Sequence, residues 1–215
     1  MSHDDDHAVE PIRGLPELPP KGEFILWQGA PHWTTLALRA FHLRKVIVFL
    51  GLFLFLRGLT GFIETQTVFG ALLSMGFVFM LSLTAIGLFM ALAYATARAT
   101  VYTITNQRVV IRFGVALQMT INLPFALIES ASLKTYRDGT GDVPMKVDPE
   151  QRISYVVLWP HVRPWRWLNP QPMLRGIPNA QAVAEVLANA MAENAVQRGQ
   201  SSQDPDQGTA ATVGA

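Results

Sequence analysis

The period of the apolar positions changes along the chain, and the changes divide it. Residues 46–63, "VIVFLGLFLFLRGLTGFI", are apolar apart from one charge, Arg57. Residues 68–97, "VFGALLSMGFVFMLSLTAIGLFMALAYATA", carry no charge. A helix needs about 20 apolar residues to cross a hydrocarbon core roughly 30 Å thick. The first run just meets that length. The second is too long for one perpendicular crossing and too short for two, so it predicts a tilted or projecting helix. Only "ETQT", residues 64–67, lies between them, which predicts an antiparallel helical hairpin. Ahead of it, "PHWTTLALRAFHLRK" mixes Trp33, Leu36, Leu38, Phe41 and Leu43 with Arg39 and His42. That mixture reads as an interfacial helix or as the start of the first span, and the membrane part then covers 34–97.

From Ala99 the apolar period drops to two. Val101, Thr103 and Thr105 alternate with Tyr102 and Ile104, and after a turn at 106–108 come the runs "VVIRFG", "VALQMTINLP" and "FALIESASLKTY". Gly114, Pro124 and "RDGTGD" punctuate them, as expected of short strands. "RISYVVLWPHV", 152–162, predicts one more strand with Trp159 in the core of the sheet. "IPNAQAVAEVLANAMAENAVQ" then predicts a helix with Asn179 as N-cap and Val183, Val186, Leu187, Ala190 and Met191 as its apolar stripe. The segment 1–33, rich in proline, glycine and acid, predicts an extended or disordered lead-in without a signal peptide, and 199–215 a disordered tail. Strands followed by one helix within 98–198 imply a mainly β, α+β domain: a curved sheet or barrel capped by a C-terminal helix. A helix that runs directly into the first strand ties such a domain closely to the bilayer.

Composition narrows the chemistry. Half the 215 residues are hydrophobic, 15% are charged and mean hydropathy is +0.24, which marks a membrane protein with a soluble part. A net charge of +1 gives no bulk attraction to nucleic acid. The chain has no cysteine, so disulfides, thiolate catalysis, covalent haem attachment and iron–sulfur ligation are excluded. Neither span holds a histidine for an axial pigment or haem bond, so no cofactor is expected. "HDDDH", 3–7, reads as a solvated tail rather than a metal site. "DGTGD" does not join a strand to a helix, which argues against a phosphate loop, and Asp138 and Asp142 are expected to shape a turn. His161 has no acidic or nucleophilic neighbour in sequence. No convergent catalytic set emerges, and the expectation is a protein that is not an enzyme.

Two resemblances follow. "YTITNQRVVIRFG" resembles the first hairpin of the bacterial pleckstrin-homology-like (PH-like) domain, through Tyr102, Thr103, Thr105, Asn106 and Arg108, and "GEFILWQGAPHW" resembles the segment ahead of the membrane hairpin in such proteins. "HDDDHAVEPIRGLPELPPKGE", "RAFHLRK" and "WPHVRPWRWLNPQPMLRGIP" resemble the photosynthetic complex assembly proteins of purple bacteria. The second resemblance implies a non-enzymatic assembly factor in the bacterial inner (intracytoplasmic) membrane that holds reaction-centre or core light-harvesting polypeptides. The alternative is a membrane-anchored lipid- or peptide-binding module unrelated to photosynthesis. Arg39, Arg44, Lys45 and Arg98 flank the hairpin and its loop carries only Glu64, which places both termini in the cytoplasm.

Contact surfaces are sought where costly groups lie. Arg57 is either a buried contact with a membrane partner or a side chain snorkelling to the interface. Gly87, Ala91 and Ala95 recur every four residues and are expected to pack on the first span, with a second protein or another copy of this chain as the other partner. "WPHVRPWRWLNPQPMLRG" is the most unusual stretch. Trp165, Arg166 and Trp167, with Arg163, are expected to form a contact surface, because "PWRW" cannot bury large rings and a charge cheaply. From 98 to 196 there are ten basic and seven acidic residues, too dispersed for a phosphoinositide pocket.

Overall fold

The structure, a computed structural model, describes residues 14, 15, 17–148 and 154–203. It divides into two compact units: Pro31–Ala99, and Met1–Ala30 together with Thr100–Ala215.

The first unit holds three helices, α1 Trp33–Arg39, α2 Leu43–Thr65 and α3 Val68–Ala99. At 1.5 Å per residue α2 is about 35 Å long and α3 about 48 Å. Both helices are long and apolar enough to cross a membrane, and only 6% of the most apolar window of each is buried. So apolar an exterior is stable in an apolar solvent, not in water. Backbone hydrogen bonding does not stop where polarity begins, so α2 runs through Glu64 and Thr65. The connection is therefore Gln66 and Thr67, shorter than expected. Gln66 takes a left-handed conformation (φ 56°) and its N–H donates to Phe62 O at 2.7 Å. The Thr67 hydroxyl accepts the Gly70 N–H at 3.1 Å and caps α3.

Near that turn the helices close through small residues. A side chain at Gly61 would collide with Ser74, and one at Gly58 would meet Met75. α1 packs Leu36 and Ala37, with Ala40 just beyond its end, against Ala93 and Ala97 of α3. The expected stripe of Gly87, Ala91 and Ala95 is not this packing face. Gly87 and Ala91 are exposed and Ala95 is half-buried, because the helical phase turns Ala93, Thr96 and Ala97 inward instead.

The second unit is built of antiparallel strands. β1 Ile25–Gly29, β2 Val101–Thr105, β3 Arg108–Phe113 and β4 Met119–Pro124 form one sheet in the order β1-β2-β3-β4. β5 Ile128–Ala131, β6 Lys134–Thr135, β7 Gly141–Val147 and β8 Met173–Ile177 form the other; β7 pairs with each of its neighbours β5, β6 and β8. α5 Ala180–Gln203 places Val183, Leu187 and Ala190 on a core made of Tyr102, Ile104, Ile111, Phe113, Leu123, Met145, Leu174 and Ile177. Two apolar helices followed by a mainly β domain closed by a C-terminal helix is the expected architecture.

Four local expectations are corrected. Residues 25–29, inside the supposed lead-in, are a strand on β2, and Leu15 is buried. Gly14 (φ 93°) approaches Val101 so closely that a Cβ there would lie 2.5 Å from its Cγ1. Every residue of β2 is buried, so both faces of the strand need cover, and the lead-in supplies part of it. The second correction concerns 152–162. Tyr155–Leu158 is a single helical turn, α4, that buries Leu158, and Trp159 is 48% exposed rather than core. A short apolar run does not distinguish strand from helix. Pro160 has no N–H for a ladder, and β8 occupies the place beside β7. Third, α5 continues past Gly199 to Gln203, and 204–215 lies outside the described residues. Fourth, Asn179 has a left-handed backbone (φ 49°) instead of the extended one of an N-cap.

Candidate functional site: an aromatic loop on a buried polar root

The conspicuous surface feature is the loop between α4 and β8. Its stem is closed by a bridge between Val162 and Pro172. The Arg163 N–H donates to Gln171 O at 2.9 Å, and Arg163 Nη1 donates to Gln171 Oε1 at 3.1 Å. Beyond the stem the side chains turn out: Trp165 is 85% exposed, Trp167 62% and Leu168 96%. Trp165 has φ 65°, an outlier for a bulky residue, at the tip of the loop. Trp167 lies on Tyr155 of α4 with ring centroids 4.2 Å apart, so α4 and the loop form one surface that also exposes Val156. Trp165, Arg166, Trp167 and Arg163 are thus brought together in one exposed loop.

Beneath it lies what the sequence did not disclose. His161, at the base of the loop, is fully buried. Its Nδ1 is 2.7 Å from the Tyr102 hydroxyl and its Nε2 is 3.2 Å from the Thr100 hydroxyl. The Tyr102 oxygen also accepts the Arg175 N–H at 3.2 Å. Arg175 Nη1 donates to Pro160 O at 2.8 Å, and the Met173 N–H donates to His161 O at 2.9 Å. Asp142 accepts the Gly176 N–H at 2.8 Å and the Tyr136 hydroxyl at 2.5 Å, so it ties β7 to β8 besides standing near the turn foreseen for it. Asp138 does shape that turn, accepting the Thr140 hydroxyl at 2.7 Å.

Burial, reinforced by the Arg175 charge, pushes the His161 pKa down to about 3, and burial raises that of Tyr102. Both are neutral at pH 7. A neutral imidazole serves both of its contacts, accepting at one nitrogen and donating at the other. Sealed from solvent and bonded at both nitrogens, His161 acts as a structural tie that fixes the loop base to β2 and β8.

The motif around the β2–β3 turn also has a mechanical reading. The Thr105 hydroxyl accepts the Gln107 and Arg108 N–H groups at 3.2 and 3.0 Å. Asn106 accepts the Phe24 N–H at 3.1 Å and donates to Gly22 O at 2.9 Å. Arg108 grips the buried Glu23 carboxylate with two nitrogens, at 2.8 and 2.9 Å. The turn therefore clasps the segment that leads into β1.

The β2–β3 turn, strands β2 to β8 and nearly all of the two apolar helices ahead of them fall within one family model: residues 46–191 match that of the bacterial PH domain. The chain belongs to the bacterial PH domain family. It is also similar to a protein of Rhodobacter capsulatus named as an uncharacterized 23.7 kDa protein in the puhA 5′ region. The two are 41% identical over 191 residues, 87% of this chain and 88% of that one. No solved structure matches the chain.

The remaining expected site residues lie in the helical unit of this bacterial PH domain protein. Arg57 Nη1 is 3.0 Å from the Thr60 hydroxyl and 3.7 Å from Glu64 in the last turn of α2, so its charge reaches toward the end of that helix. No cluster of three potential metal ligands occurs among the described residues; "HDDDH" lies outside them. His161 and Tyr102 lie 59 residues apart, and no sequence spacing reveals such a pair. The usable signal was the tyrosine of the turn motif, whose hydroxyl needs a partner once buried.

Proposed function

We propose that this protein is a non-enzymatic, membrane-anchored assembly factor that holds reaction-centre or core light-harvesting polypeptides while the photosynthetic complex is built. The observation that carries this reading is its 41% identity, across most of both chains, to the Rhodobacter capsulatus protein of the puhA 5′ region, a photosynthesis gene region. The geometry supports it with a surface suited to contact: an exposed tryptophan–arginine loop on a rigid buried root. The sealed His161 favours a structural role over a catalytic one.

The test is Trp165→Ala with Trp167→Ala. Both rings are exposed, so folding stability should change by no more than about 0.5 kcal/mol per position. At an interface centre each truncated anchor costs about 2 kcal/mol or more. The variant should melt like the wild type and insert normally, yet yield clearly less assembled complex, read from the pigment absorbance of membranes. Wild-type complex levels would remove the loop from the function and favour a lipid- or peptide-binding module outside photosynthesis.

This reading sets the helices across the bacterial inner membrane with both termini in the cytoplasm. Arg39, Arg44 and Lys45 precede or open α2, and Arg98 lies in the last turn of α3. Alkaline phosphatase fused to the C-terminus should be inactive and a fluorescent protein there should glow; active phosphatase would invert the topology.

A further inference from the structure

The base of the aromatic loop is bonded to the first residue of the chain after α3. α3 ends at Ala99, and the next residue, Thr100, bonds through its hydroxyl to His161 at the base of the loop. Thr100 is joined through the chain to a helix long and apolar enough to cross a membrane. Its charge is one-sided: residues 151–184 contain no aspartate or glutamate but include Arg152, Arg163, Arg166 and Arg175. Its tip is almost wholly exposed apolar surface, with Leu168 at 96% and Trp165 at 85%.

Leucine at such exposure has no stabilising role in water. Tryptophan, with an apolar ring and a polar N–H, partitions to the headgroup level of bilayers. Arginine binds phosphate with a planar fork of donors. The tip offers no acidic group to a cationic partner, and its side chains stand outward instead of lining a groove.

We propose that the tip of this loop, Trp165 to Leu168, is a second membrane anchor that seats at the headgroup–acyl boundary, with Arg166 against anionic lipid phosphates. The proposal rests on the reading that the helices span the bilayer. It sharpens the assembly role, since a loop held in the headgroup layer meets polypeptides where their membrane helices emerge.

The absence of cysteine makes the test direct. Leu168→Cys in the full-length protein carries one environment-sensitive nitrobenzoxadiazole label at a site that supports no core. The probe membrane is a nanodisc of phosphatidylcholine and phosphatidylglycerol, with and without doxyl-labelled lipid. Seating in the bilayer predicts blue-shifted emission, at least twofold quenching by doxyl lipid, and protection from iodide. Water-like emission quenched by iodide overturns the proposal. Arg166→Gln should weaken the doxyl quenching in discs containing phosphatidylglycerol and leave it unchanged in discs of phosphatidylcholine alone; no change in either removes the phosphate contact. A lipid-seated label with normal complex yield from the double tryptophan variant refutes the assembly role alone. A water-exposed label with lowered yield refutes the anchor alone and makes the loop's partner a protein.

Discussion

Lowering the pH from 7 to 4 is expected to cost the β domain roughly 3 kcal/mol through His161 alone. The group is held neutral in the fold with a pKa near 3, against 6.5 in the unfolded chain. Between those values the unfolded state binds a proton that the folded state refuses. The stability associated with the neutral ring is therefore complete above about pH 6.5 and is lost progressively as pH falls toward 3. A proton there would charge a ring with no solvent access, beside the Arg175 guanidinium, and would put a second donor where the neutral ring accepts. Urea unfolding of the purified protein followed across this range isolates the effect when compared with His161→Gln. The variant keeps a donor and an acceptor but cannot titrate, so its stability should fall less steeply with acidity, while being lower at pH 7. Equal slopes in the two proteins would show that His161 is not buried as a neutral base.

Arg108→Ala should destabilise the same domain by about 3–5 kcal/mol, the usual consequence of leaving one member of a buried ion pair without its partner. The Glu23 side chain is only 2% exposed, and Arg108 donates to both of its carboxylate oxygens. Removing the guanidinium leaves a carboxylate that must either be rehydrated, pulling residues 22–24 away from the turn, or take up a proton. The second single variant, Glu23→Gln, keeps an acceptor for Arg108 and should cost less. Replacing both residues by methionine should recover part of the loss, since no charge is then stranded. Hydrogen exchange reads the mechanism: in Arg108→Ala the β1 amides should exchange faster than those of β3. Uniform acceleration across both strands would mean that the clasp supports the whole sheet instead of the lead-in.

Much of the architecture could be read from local pattern because its causes are local. Long uncharged runs permit only a helix in a bilayer, so the hairpin of α2 and α3 was legible, as was the change of period that begins β2. Turn residues at 106–108, 114 and 138–142 marked the strand ends. The three to four residue spacing of Val183, Leu187 and Ala190 marked the buried face of α5. The exposure of Trp165 and Trp167 followed from crowding, since large rings beside arginine and proline have nowhere to go. The four-residue spacing of Gly87, Ala91 and Ala95 was equally visible, but which face of a helix meets a neighbour depends on the neighbour.

Only the tertiary structure decided the rest, because its causes are distant in sequence. Strand β1 exists because β2 offers an edge to pair with, 73 residues further along the chain where Gly29 meets Tyr102, and nothing in "ILWQG" alone outweighs the prolines before it. The turn of α4 replaces a strand because β8 has taken the ladder beside β7. His161 looked solitary from its neighbours, yet folding sets it against Tyr102 and Thr100, where loss of water leaves each polar atom dependent on the others. Periodicity reports the face a residue presents; the identity of the group opposite is settled only when the chain closes on itself, and the root of the aromatic loop is made of such oppositions.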